Sequence, residues 1–118
     1  MNIEALREYC INKKGTTEEF PFDDVTLVFK VMGKMFALTS LDKDLSINLK
    51  CDPEKAIELR EEYEAIIPGY HMNKKHWNTV QIDGRLKVDL IKELIDHSYN
   101  LVVSKLTKAQ KTQLTKLE

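Results

Sequence analysis

Residues 25–39 read VTLVFKVMGKMFALT, and this stretch decides the fold. Large apolar residues alternate with smaller or polar ones on both sides of Met32-Gly33, a pattern typical of two strands joined by a two-residue turn. That turn predicts the facing pairs Phe29 with Phe36 and Leu27 with Leu38. We therefore expect an antiparallel hairpin whose large apolar side chains share the face that meets a helical layer.

The sequence on either side of the hairpin predicts helices and two further strands. Capping residues mark two of the helix starts: Asp52 before Pro53, and Thr107 three residues before Gln110. The predicted elements are a short helix from Ile3 to Cys10 ended by Gly15, strands at residues 45–50 and 77–82, a helix from Pro53 to Ile66, a long helix at 88–102, and a short C-terminal helix.

These elements predict one α+β domain spanning residues 1–118. Short consecutive strands joined by tight turns favour a single antiparallel sheet, with the helices packed on one face. The opposite face is then predicted to carry mixed polar and apolar side chains, with Lys30, Lys50 and Trp77 exposed on it.

Composition excludes several classes of protein. The chain has 118 residues, 42% hydrophobic and 31% charged, with a net charge of -1, which is ordinary for one globular domain and not basic enough for a dedicated nucleic-acid binder. No apolar run approaches the length of a membrane span, and the N-terminus lacks the pattern of a secretory signal. We therefore expect a cytoplasmic protein that does not contact a membrane.

Chemistry-bearing motifs are sparse. Cys10 and Cys51 are expected to be buried small hydrophobes, and the three histidines do not have metal-ligand spacing. The glycines are isolated, so no phosphate-binding loop is predicted. We therefore expect no cofactor, no metal and no enzymatic activity, while the oligomeric state stays open.

Charge is segregated along the chain. Residues 1–24 hold three bases and six acids, and residues 52–66 hold two bases and six acids. By contrast, residues 25–51 hold four bases and two acids, and residues 67–79 hold two lysines without an acid. Basic charge is thus predicted on the sheet and its loops, where lysines beside an exposed indole suit a polyanion.

Four blocks of sequence resemble the MmcQ/YjbR family of small bacterial proteins: residues 28–37 (VFKVMGKMFA), 49–53 (LKCDP), 68–80 (PGYHMNKKHWNTV) and 98–102 (SYNLV). The resemblance implies a fold similar to that of frataxin and CyaY. It also implies binding of DNA through a double-wing motif, the activity commonly ascribed to the family.

The leading functional prediction is a binding module that contacts DNA through the uncovered sheet face and residues 73–77. The predicted contact residues are Lys30, Lys34, Lys50, Lys74, Lys75, His76 and Trp77. One alternative is a protein-interaction module. A second alternative is a small-ligand site around His71, His76 and Lys34, which requires a concave pocket between loop and sheet.

Overall fold

A computed structural model describes residues 1–70 and 72–117 of the chain. In order, the elements are α1 (Ile3–Ile11), β1 (Thr16–Glu19), β2 (Thr26–Val31), β3 (Lys34–Ser40), β4 (Ser46–Lys50), α2 (Pro53–Glu62), β5 (Ile66–Pro68), β6 (Trp77–Gln81), α3 (Val88–Ser104) and α4 (Lys108–Lys116). Among the described residues, no helix is long and apolar enough to cross a membrane.

The strands form a single sheet in the order β1-β2-β3-β4-β6-β5, and all neighbours are antiparallel. The predicted α+β class with one antiparallel sheet is therefore confirmed. Both edge strands, β1 and β5, were not predicted. β1 has the sequence Thr-Thr-Glu-Glu and carries no apolar residue, whereas β5 consists of two isoleucines followed by a proline, which an edge strand tolerates.

Helix α2 begins where predicted but ends early. The Asp52 side chain accepts a hydrogen bond from the Lys55 N–H, and Pro53 occupies the first turn. The helix ends at Glu62 and not at Ile66, because Tyr63 is extended and turns the chain into β5. The capping box of α4 is confirmed. Helix α1 ends at Ile11, and Gly15 lies beyond it in the turn into β1, with a φ of 73°.

The central hairpin has the predicted two-residue turn but not the predicted register. Met32 and Gly33 both have positive φ, 50° and 78°, as a tight hairpin turn requires. The register then shifts at a β-bulge, so that Phe29 lies opposite Ala37 and not opposite Phe36. The prediction of the facing pairs is therefore wrong.

The bulge exchanges the faces of the following residues. Leu38 now pairs with Val28 and points away from the helices, while Ala37 points into the core. Phe29 and Phe36 both remain in the core, with ring centroids 6.4 Å apart. All buried apolar residues of the described helices belong to this core cluster. Helices on one face of the sheet are therefore confirmed.

Candidate binding pocket

The helix-free face of the sheet has a small apolar cluster of its own. Val28, Leu38 and Trp77 are buried together, with Met35 and Met72 packed against them. Trp77 is only 7% exposed, so the prediction of an exposed indole is wrong. The bulge in β3 brings Leu38 to this face as one partner of Trp77, and the connection between β5 and β6 supplies Met72 as another.

The lysines predicted to bind DNA do not form one uniform surface. Lys30 lies 2.5 Å from the Glu19 carboxylate of β1. Lys74 donates through Nζ to the Gly69 carbonyl at 3.2 Å, and Lys74, Lys34 and Lys75 are all exposed residues. The ion pair was not predictable because it depends on an edge strand that the sequence did not reveal.

Two of the predicted residues do come together at the end of β4, where Lys50 pairs with Trp77. Lys50 and His76 line a cleft of about 190 Å³ at the start of α2, together with Lys105, Leu101 and residues 51–53. Lys34 lies outside this cleft, and His71 lies outside the described residues, so the predicted grouping of His71, His76 and Lys34 is not seen among the residues that are described.

A larger cavity of about 420 Å³ opens on the helix-free face. Its described lining combines aromatic, thioether, aliphatic, hydroxyl and amide groups with one lysine: Phe22, Thr26, Met35, Leu38, Thr39, Ser40, Lys43, Ser46, Asn48, Tyr70, Met72 and Thr79. Its size and largely apolar character fall in the range of small-molecule sites.

The connection between β5 and β6 forms one wall of this cavity, which we call the sheet pocket. The Gly69 N–H donates to the Trp77 carbonyl at 2.9 Å, and a Cβ at Gly69 would lie 2.9 Å from that oxygen, so only glycine fits. The Tyr70 N–H donates to the Thr79 hydroxyl at 3.1 Å. These bonds hold Tyr70 and Met72 beside the sheet.

Arg60 anchors the same wall from helix α2. Its Nε donates to the Asn78 side-chain oxygen at 2.6 Å, and its Nη2 donates to the carbonyls of Lys74 and Trp77. The Asn78 amide in turn donates to the Ala56 carbonyl at 3.3 Å. Arg60 belongs to a helix on one face of the sheet. Its hydrogen bonds therefore hold in place the connection between β5 and β6, which forms a wall of the pocket on the other face.

Phe22 lies in the wall contributed by the connection before β2. The adjacent Asp23 carboxylate accepts the N–H groups of Val25 at 3.0 Å and Thr26 at 2.6 Å. These hydrogen bonds, mainly the one from Thr26, lower the pKa of Asp23 below its ordinary value, with Lys43 contributing further. The turn that carries Phe22 is thus fixed by an ionised carboxylate.

Asn48 and Thr79 carry the polar groups that we call the floor of the pocket. The Thr79 hydroxyl donates to the Asn48 side-chain oxygen while it accepts the Tyr70 N–H. Above this floor, the Lys43 ammonium lies 5.4 Å from the centroid of the Tyr70 ring. Lys43 and Asn48 both line this pocket, and their side chains carry an ammonium and an amide NH₂, which are hydrogen-bond donors.

A second cleft of about 450 Å³ lies between α1 and the start of α3. Its central side chain, Tyr9, donates to the Asp96 carboxylate at 2.7 Å. Burial, with Asp96 adding to it, raises the pKa of Tyr9 to about 12. Tyr9 and Lys13 of its lining both pair with Asp96, so these two polar groups are less available to a ligand.

Sequence reasoning missed most of the sheet pocket. Phe22, Lys43 and Tyr70 lie on three separate connections, and nothing in their spacing indicates that they meet. No sequence signal marks these residues, and only the structure shows that Phe22 and Tyr70 are 66% and 60% exposed beside one cavity.

The fold and the pocket define a small α+β protein with helices on one side of its sheet and a concave cavity on the other. The chain belongs to the YjbR family, whose family model matches residues 11–101. Membership agrees with the sequence blocks that resemble the MmcQ/YjbR family.

Similar proteins cover most of the chain. It is 44% identical over 90 residues to YbdF of Escherichia coli O157:H7, covering 75% of this chain and 74% of YbdF. It is 33% identical over 118 residues to YjbR of Escherichia coli K12, covering 99% and 100% of the two chains.

A solved relative has the same architecture. The crystal structure of Deinococcus radiodurans protein DR2400, with domain DUF419, superposes with a TM-score of 0.90 at 46% identity, covering 97% of this chain and 88% of that one. A crystal structure from Pseudomonas syringae superposes with a TM-score of 0.75 at 31% identity, covering 86% and 98%. The family and the fold are thus established together.

Proposed function

We propose that this protein is a non-enzymatic binding module that holds a small organic molecule in the sheet pocket. One observation carries the proposal: the helix-free face has a cavity of about 420 Å³ in which aromatic, thioether and aliphatic side chains meet hydroxyl, amide and ammonium groups. A few polar groups in a mainly apolar concavity are the usual design of a small-molecule site.

The chemistry of the lining supports binding without catalysis. Among its described residues, the pocket contains no carboxylate, imidazole or thiol. Both cysteines lie elsewhere, and burial raises the pKa of Cys10 to about 12 and of Cys51 to about 11, so neither is a reactive thiolate near neutral pH. The described residues also hold no group of three or more potential metal ligands.

The test uses the fluorescent dye 8-anilino-1-naphthalenesulfonate with the 118-residue chain. We expect saturable fluorescence enhancement that Ser46→Phe abolishes, because the Ser46 side chain lines the sheet pocket and a phenyl group would fill it. Ala5→Phe is the matched control, since Ala5 lines the cleft between α1 and α3.

The comparison requires both variants to melt cooperatively near the wild-type temperature, which shows that the dye is not reporting a loosened core. Loss of binding in Ser46→Phe with retention in Ala5→Phe supports the sheet pocket. Loss in Ala5→Phe alone, or equal binding to all three proteins, would overturn the proposal.

A second candidate function, binding of DNA, is favoured by the cleft at the start of α2. Lys50, His76 and Lys105 line it together, and two of these residues are among the contacts that the sequence predicted. Clustered lysines attract phosphates, and each contact makes the affinity more dependent on salt.

The DNA candidate is tested by fluorescence anisotropy of a short labelled duplex at low salt. The double variant Lys50→Gln/Lys105→Gln is expected to weaken binding and to reduce its salt dependence. The control, Lys108→Gln/Lys116→Gln, removes the same charge from exposed sites on α4. Absence of binding at low salt, or equal loss in both variants, would contradict this function.

A further inference from the structure

We propose that the preferred ligand of the sheet pocket is a planar aromatic acid, whose ring lies among the apolar walls and whose carboxylate meets Lys43 and Asn48. This inference rests on the proposed function and assigns the chemical class of the molecule that the pocket holds.

The walls favour a flat ring. Phe22 and Tyr70 are exposed residues that line the pocket from two different connections, and offset or edge contacts with aromatic side chains stabilise a ligand ring. Met35 and Met72 add thioether groups, which pack well against aromatic rings of varied outline. A cavity of about 420 Å³ has room for a fused two-ring system.

The charge of the pocket favours an anion. Lys43 contributes an ammonium group, and the described lining has no carboxylate to neutralise it. Asp23 does interact electrostatically with Lys43, but its carboxylate already accepts two backbone N–H groups and it does not line the pocket. A ligand cation would therefore meet the Lys43 ammonium in the lining itself, whereas the Asp23 carboxylate lies outside it.

The hydrogen bonds on the floor favour an acceptor on the ligand. The Asn48 oxygen is occupied by the Thr79 hydroxyl, whereas the Asn48 amide nitrogen donates no hydrogen bond within residues 1–70 and 72–117. An amide N–H that has no acceptor in the described protein can donate to a ligand oxygen, and a charged oxygen gives the stronger bond. A carboxylate satisfies both this donor and the nearby ammonium.

The experiment compares three probes that share one ring system: 2-naphthoate, 2-naphthamide and 2-naphthylmethylammonium. Isothermal titration calorimetry on the full chain is expected to show 2-naphthoate binding at least about tenfold more tightly than the amide, as loss of charge-assisted hydrogen bonds implies. The ammonium probe is expected to bind most weakly.

Two variants test which residues of the pocket produce the preference for the carboxylate probe. Lys43→Gln is expected to weaken 2-naphthoate and leave 2-naphthamide unchanged, while Lys34→Gln, a lysine at the hairpin turn outside the pocket, changes neither. Asn48→Asp retains the shape and the acceptor for Thr79 but replaces the donor with a carboxylate oxygen. It is expected to weaken 2-naphthoate and strengthen the ammonium probe.

The outcomes separate this inference from the proposed function. Equal affinity for all three probes, with binding still blocked by Ser46→Phe, would overturn the aromatic acid and leave the pocket intact. Undiminished 2-naphthoate binding in both Lys43→Gln and Asn48→Asp would also overturn it. No binding of any probe would overturn the proposed function together with the inference.

Discussion

Ser98 is a buried polar residue that connects helix α3 to two strands. Its hydroxyl donates to the Phe36 carbonyl at 2.5 Å and accepts the Lys50 N–H at 2.9 Å. Phe36 is the residue displaced by the bulge in β3. The serine thus supplies a hydrogen-bond partner where the regular ladder between neighbouring strands is interrupted.

Ser98→Ala is expected to lower the free energy of unfolding by about 2 kcal/mol, because it removes both buried hydrogen bonds. The matched control is Ser104→Ala on the same helix, since that exposed hydroxyl only bonds the Leu101 carbonyl one turn back. Urea denaturation measures both variants. A loss in Ser98→Ala no greater than in the control would contradict this role.

His97 makes folding stability depend on pH. Its Nε2 accepts the Asp52 N–H at 3.3 Å, so this bond requires the neutral imidazole. Burial lowers the pKa of His97 below 6.5, with Lys55 lowering it further against the opposite effect of Asp52. The unfolded chain therefore binds this proton more tightly than the folded protein does. As the pH falls below the pKa that His97 has in the unfolded chain, and then through its pKa in the folded protein, this contribution to stability is lost.

His97→Gln is expected to flatten this part of the pH dependence, since glutamine also offers an acceptor but does not titrate. The free energy of unfolding is measured in urea near pH 7.5 and near pH 5. The wild-type protein is expected to lose more of it between these two pH values than the variant does. The same loss in both proteins would show that other groups account for the pH dependence.

At the scale of elements, turn chemistry and helix caps were predictable because they are local. Met32-Gly33, Asp52-Pro53 and Thr107 each determine a conformation within a few residues of themselves. The bulge at Phe36 was not predictable, because its stabilising partner Ser98 lies 62 residues away in the sequence. That single shift moved Leu38 to the helix-free face and thereby changed the expected site.

The wall formed by the connection between β5 and β6 depends on one arginine. Arg60→Lys keeps the charge but loses the forked geometry that reaches Asn78 and two carbonyls. We expect faster amide hydrogen exchange at Gly69 and Tyr70, and weaker dye binding in the sheet pocket, because this wall loosens.

The control for this prediction is Arg85→Lys, since Arg85 pairs with Asp83 on an exposed turn. The rate of amide hydrogen exchange in the β2–β3 hairpin is expected to stay unchanged in both variants. Unaltered exchange at Gly69 and Tyr70 in Arg60→Lys would mean that this loop holds its position without the arginine.

At the scale of the whole molecule, the packing of helices against one face of the sheet was predictable from the spacing of apolar residues, whereas the position of the pocket was not. The alternation of apolar residues in β2 and β4 showed which side of the sheet meets helices, because that pattern reflects burial, whereas in β3 the bulge exchanged the sides of Ala37 and Leu38. The sheet pocket is formed by Phe22, Lys43 and Tyr70 from connections far apart in the sequence, so it exists only once the strands have paired. Charge segregation indicated an uncovered face but missed the pairing of Lys30 with Glu19.

The central claim is that the helix-free face holds a ligand. Two-dimensional ¹H–¹⁵N spectra recorded during titration with 2-naphthoate test it most directly, because every assigned amide reports its own surroundings. We predict saturable shifts concentrated at Leu38, Ser46, Asn48 and Thr79, with the amides of α1 and α4 unmoved. Shifts confined to the cleft between α1 and α3, or no saturable shift at all, would contradict the account.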